Sequence, residues 1–178
     1  MYTELLLLAS AALAIVATRM QSSKVSRFGL GFYVLFSSLA IYGMGEVVSA
    51  LLYLLTLGVA ITALIAFLDA RLKASEFTSS KIGTTLTIVI GVAFFTVSYL
   101  LFQNPFYAIA TLIASTGVLA IEKRSLLRTM TGLLILGGAI FVILTRIGYF
   151  TPVISVPLCL FALASGVGFL YAFRYNKE

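Results

Sequence analysis

From Ile82 to Ile121 the chain carries no charged residue, and Phe28–Gly45, Val47–Leu68 and Ile147–Phe173 are likewise uncharged. Runs of this length decide the solvent before they decide the fold. A soluble domain carries about 25% charged residues, whereas this chain of 178 residues has 10% charged and 61% hydrophobic residues. A soluble chain of this length cannot hide that much apolar surface, because a domain of roughly 150 residues buries only about 70% of its surface. The expected surroundings are therefore lipid and neighbouring membrane protein. The expected class is an all-α membrane protein, multi-pass in the cell membrane.

A helix needs about 20 apolar residues to cross the hydrocarbon core. On that measure, spans are expected at 4–19, 28–44, 47–69, 83–102, 105–121, 127–146 and 153–173. The fifth is short, and an interfacial or re-entrant segment there would leave six crossings. The basic residues test the two counts, since Lys and Arg accumulate in cytoplasmic loops. Arg19, Lys24 and Arg27 follow span one. Arg71, Lys73 and Lys81 follow span three. Lys123, Arg124 and Arg128 follow span five, and Arg174 and Lys177 close the chain. With seven spans these fall on one side, and only Arg146 falls on the other. Deleting span five would break the segregation. Seven spans are expected, N-terminus outside and C-terminus cytoplasmic. The start Met1-Tyr2-Thr3-Glu4 is acidic, and the first basic residue, Arg19, follows the apolar run. This is the reverse of a secretory signal, so a retained first helix is expected.

The connections on the outer side are short: Gly43-Met44-Gly45-Glu46, Gln103-Asn104-Pro105 and Gly148-Tyr149-Phe150-Thr151-Pro152. Short loops make sequential helices antiparallel neighbours. They leave no room for an extramembrane domain on that side, and the longer inner loops reach only about 14 residues, so one part of a larger assembly is expected.

The residue inventory narrows the chemistry. There is no histidine, and the one cysteine, Cys159, lies in an apolar run. His-based haem, zinc and acid–base sites are excluded, as is an internal disulfide. No cofactor, metal site, phosphate loop or nucleic-acid surface is expected. Glu4, Asp69, Glu76, Glu122 and Glu178 sit at ends or in loops, where solvated charges or weak local pairs are expected. Glu46 differs, because no basic residue occurs between Arg27 and Arg71. It is either a helix N-terminal carboxylate, worth roughly 0.3–1 kcal/mol against the macrodipole, or a group bordering a proton path.

In span three, Thr56, Gly58 and Thr62 suit close helix approach or a helix that can change its bonding. Gly137-Gly138 and Gly166-Val167-Gly168 read as helix packing. Pro152 suits a first turn and Pro157 a tolerated kink. Tyr2, Tyr149, Phe150, Tyr171 and Tyr175 lie near span ends, as an interfacial belt requires.

Span three reads Gly45-Glu46-Val47-Val48-Ser49-Ala50-Leu51-Leu52-Tyr53-Leu54-Leu55-Thr56-Leu57-Gly58. With the basic loop after span one, this resembles the J-type membrane subunit of complex I and related archaeal dehydrogenases. Glu46 falls on the family's glutamate, Ala50-Leu51 on its Ala-Leu and Gly58 on its glycine. Thr56 and Leu52 depart from its tyrosine and its polar residue. The loop Glu122-Lys123-Arg124-Ser125-Leu126-Leu127-Arg128 and the helix after it resemble the K-type subunit of the same machines. The two helix glutamates of that family would fall on Leu134 and Ala164, so those positions carry no protons here. The resemblance implies J-like helices over 1–102 and K-like helices over 103–178. It implies a membrane-arm subunit of a proton-pumping quinone oxidoreductase, holding no redox centre. Its partners would be quinone-site and antiporter-like subunits, with Glu46 as the proton-path candidate and Thr56, Gly58 and Thr62 as helix-gating candidates. The alternatives are a small independent transporter or channel, which would need polar groups at mid-membrane, and a scaffold subunit of another respiratory complex.

Overall fold

The computed structural model describes residues 2–19, 23–71, 81–121 and 126–148. These form six helices: α1 (Tyr2–Arg19), α2 (Ser23–Gly43), α3 (Val47–Arg71), α4 (Lys81–Phe102), α5 (Pro105–Leu119) and α6 (Leu126–Ile147). Among the described residues there is no strand. The helices lie within a few residues of the first six expected spans. The seventh, 153–173, lies outside the described residues, and so do Cys159, Pro152, Pro157, Ala164, Gly166 and Gly168.

Local chemistry sets the breaks. Asn104 is extended and caps α5, its side-chain oxygen accepting the Phe106 N–H at 3.0 Å, with Pro105 in the first turn. Proline suits that position because its missing N–H would be unpaired there anyway. One residue earlier, Gln103 takes φ +48° and donates its N–H to the Tyr99 carbonyl at 2.8 Å, closing α4 with a left-handed residue. Gly45, at φ +90°, turns the chain from α2 into α3. Glycine makes that conformation without a Cβ clash.

Antiparallel packing follows from these tight turns. An added Cβ at Gly43 would touch the Thr3 methyl, and the Phe102 and Tyr107 rings lie 5.5 Å apart. The Arg146 guanidinium lies over the Phe106 ring at 5.6 Å. All of these belong to one end of the bundle. At the other end Gly29 lies against the Ala17 backbone, and Arg19 reaches the carbonyl of Leu119 at 3.0 Å. There too Gly117 and Gly132 bring α5 and α6 together; a Cβ on Gly117 would lie 2.8 Å from the Gly132 carbonyl oxygen. Hence α5 runs from one end to the other, parallel to α1 and antiparallel to α4 and α6. It packs against all three and buries Phe106, Ile109, Ile113 and Thr116. Its 15 residues rise about 22 Å at ~1.5 Å per residue.

The interior mixes aliphatic residues such as Leu7, Ile41, Ile113 and Ile135 with many small and hydroxyl-bearing ones. Along α1 the buried stripe is Leu7, Ser10, Ala11, Ala14, Ala17 and Thr18, a helical face narrow enough for α2 to approach closely. The exterior is apolar: Leu51, Leu55 and Val59 on α3, and Val89, Phe94, Leu100 and Leu101 on α4, are exposed. The outer face of a helix in water is usually charged or polar. The helices Tyr2–Arg19 and Thr84–Phe102 are long and apolar enough to cross a membrane.

Buried hydroxyls need partners where no water competes. Several find one in their own helix. Ser10 donates to the Leu7 carbonyl at 2.8 Å, Thr18 to Ala14 at 2.9 Å, Thr116 to Leu112 at 2.9 Å and Thr145 to Phe141 at 2.9 Å. Such bonds silence the hydroxyl without joining two helices.

Candidate functional site

The exception to this local pairing lies where α2, α3 and α6 meet. Tyr33 stands near the middle of α2, fully buried, and donates its phenol O–H to the Ile135 carbonyl of α6 at 3.1 Å. Tyr53 of α3 is buried beside it and donates to the Tyr33 oxygen at 3.5 Å. Its ring meets Phe141 of α6 edge-on, centroids 5.2 Å apart. Gly138 makes the room. A Cβ there would collide with both phenols, lying 2.7 Å from the Tyr53 oxygen. Three helices are thus tied at mid-bundle by two tyrosines set into a glycine notch.

Around this knot the inner face of α3 is polar. Ser49, Tyr53 and Thr56 are buried at heptad spacing, and Glu46 continues the same line at the helix start. The opposite face carries Leu51, Leu55 and Val59. On α2, Ser37 lies one turn beyond Tyr33, and Ser38 donates to the Ala50 carbonyl of α3 at 2.9 Å. The hydroxyl oxygens of Ser37 and Ser49 are both enclosed and make no hydrogen bond.

The sequence candidates divide accordingly. Glu46 is exposed and precedes Val47, and its carbonyl accepts the Ala50 N–H at 2.9 Å. It therefore occupies the N-cap position of α3, where a carboxylate complements the helix dipole. Thr56 is buried and bonds to the Leu52 carbonyl of its own helix. An added Cβ at Gly58 meets no described atom within 4 Å, while Gly29, Gly117, Gly132 and Gly138 lie against neighbouring helices. Thr62 lies in α3, its side chain outside the described ones. The helix is α throughout Val47–Arg71, with no bulge at Gly58. Glu46 is thus exposed at the start of α3, Thr56 is buried farther along it, and Gly58 is half-buried.

Sequence reasoning passed over Tyr33 and Tyr53. A signal was present. A tyrosine in the middle of an apolar run, away from the interface, must find a partner for its hydroxyl. Gly138, read as ordinary packing, is the other half of that arrangement; its neighbour Gly137 is exposed and faces open space.

No known protein family, curated protein or solved structure matches the chain.

Proposed function

We propose that this chain is a multi-pass integral protein of the cell membrane and that it works as a small membrane-arm subunit of a complex I-like proton-pumping oxidoreductase. The observation that carries the membrane reading is the apolar exterior: Leu51, Leu55, Val59, Val89, Phe94, Leu100 and Leu101 are exposed, around a core of alanine, aliphatic, serine, threonine and tyrosine side chains. Hydrocarbon rewards that exterior, and small residues with interhelical hydrogen bonds hold such helices together. The run of α5 from end to end supports seven crossings, with the seventh at 153–173. The gathering of Arg19, Lys24, Arg27, Arg71, Lys81 and Arg128 toward one end supports a cytoplasmic placement of that end.

Within the assembly the chain holds no redox centre. Its work is packing and the control of a proton path. Glu46 borders that path from the N-cap of α3, on the same face as Ser49, Tyr53 and Thr56. Thr56, Gly58 and Thr62 give α3 the means to rearrange its hydrogen bonds. The resemblance of Glu46, Ala50-Leu51 and Gly58 to the J-type subunit carries this part of the reading.

Purification under mild detergent tests it. Recovery with quinone-site and antiporter-like subunits is the expected result. A monodisperse monomer that moves a solute across liposomes would replace it with the independent transporter, and recovery within a terminal oxidase with the scaffold.

A further inference from the structure

The charges at the two ends of the bundle follow different rules. Where α1 and α3 begin, Glu4 lies in the first turn of α1 and Glu46 at the N-cap of α3, and Arg146 lies in the last turn of α6. Each sits where its own helix dipole favours it. At the opposite end Lys24 is the second residue of α2, Lys81 the first of α4 and Arg128 the third of α6, and none of these helices has an acid in its first turn. These cations stand at the positive ends of three helix dipoles, which oppose them. Among the described residues, Asp69 is the one acid of this end, set against Arg19, Lys24, Arg27, Arg71, Lys81 and Arg128. The connecting sequence does not redress the balance, since it adds Lys73, Lys123 and Arg124 against Glu76 and Glu122.

We propose that this end of the bundle is a binding surface for the phosphate groups of anionic phospholipids. An excess of cations at helix starts calls for negative charge from outside the chain. Depth favours lipid over an acidic soluble protein. Each of the six cations lies within five residues of a helix end, the level at which apolar spans give way to headgroups, and basic clusters at that level attract anionic lipid. Such a surface fixes the depth of the bundle in the leaflet and makes its stability depend on lipid charge. The proposal rests on the membrane reading alone, not on the respiratory assembly proposed above.

The test compares Tm of the full chain in nanodiscs of phosphatidylcholine and of phosphatidylcholine mixed with phosphatidylglycerol. The variant is Lys81→Gln with Arg128→Gln, which leaves Arg19, Lys24, Arg27 and Arg71 in place. In phosphatidylcholine the variant should be at least as stable as the wild type, because two cations have left the positive ends of helices. In the anionic discs the wild type should gain several degrees and the variant clearly less, and added salt should shrink the gain. A wild-type Tm indifferent to lipid charge overturns the proposal and leaves the surface to an acidic protein. An equal gain by the variant overturns it too, as does an equal gain from inorganic phosphate added to phosphatidylcholine discs. Failure to enter either disc would contradict the membrane reading as well; insertion with equal Tm contradicts only this proposal.

Discussion

The guanidinium of Arg19, the last residue of α1, donates to the carbonyl of Leu119, the last residue of α5, at 3.0 Å. A cation there meets the negative end of the α5 dipole and satisfies a carbonyl that has no partner within its helix. The bond also fixes direction, because two helices that share an end in this way run parallel. Arg19→Met keeps much of the apolar stem and removes the donor. A loss of about 1–3 kcal/mol is expected, read as a fall in Tm in nanodiscs with the helix content of the folded state unchanged.

The tyrosine notch predicts a suppressor. Gly138→Ala drives a methyl into both phenol oxygens and should cost about 1–3 kcal/mol as an overpacking substitution. Tyr33→Phe with Tyr53→Phe removes the obstructing oxygens and should cost roughly 0.5–1.5 kcal/mol for each hydrogen bond lost. Adding Gly138→Ala to that double variant should cost less than adding it to the wild type. Equal costs in both backgrounds would show that the notch is not what the methyl meets.

Gly58 behaves in the opposite way. Its Cβ position is open, and alanine is favoured over glycine within a helix by up to about 1 kcal/mol. Gly58→Ala should therefore leave Tm unchanged or raise it, while Gly117→Ala, pressed against the Gly132 backbone, should lower it. If Gly58→Ala or Gly58→Val slows turnover of an assembled complex without lowering stability, the glycine acts in a rearrangement of α3 and not in packing.

The helical segments were legible in the sequence because uncharged runs and their breaks are local. Asn104-Pro105 starts α5 by capping chemistry that any reader of those two residues would assign. The central knot was not legible in the same way. Tyr33, Tyr53, Ile135 and Gly138 come from three runs, and nothing local says that they meet. Only the cost of burying an unpaired phenol hinted at it. The contacts of Gly117, Gly132 and Gly138 were hidden for the same reason: small residues permit close approach, but only the register between helices decides which of them is used.

Glu46 separates the two readings of α3. It is exposed at the N-cap, so Glu46→Gln should change stability by no more than about 0.5 kcal/mol. In an assembled complex the same change should lower protons pumped per electron more than it lowers electron transfer. Normal pumping would reduce Glu46 to a helix-terminal carboxylate and the chain to a packing subunit.

Membrane topology is tested most directly by single cysteines read with an impermeant thiol reagent, in a Cys159→Ser background. The two positions bracket α5: Gln103→Cys before it and Ser125→Cys after it. The expected result is labelling of Gln103→Cys only from the outer face and of Ser125→Cys only from the cytoplasmic face. Labelling of both from the same face would contradict a membrane-crossing α5, and with it the seven crossings and the orientation built on them.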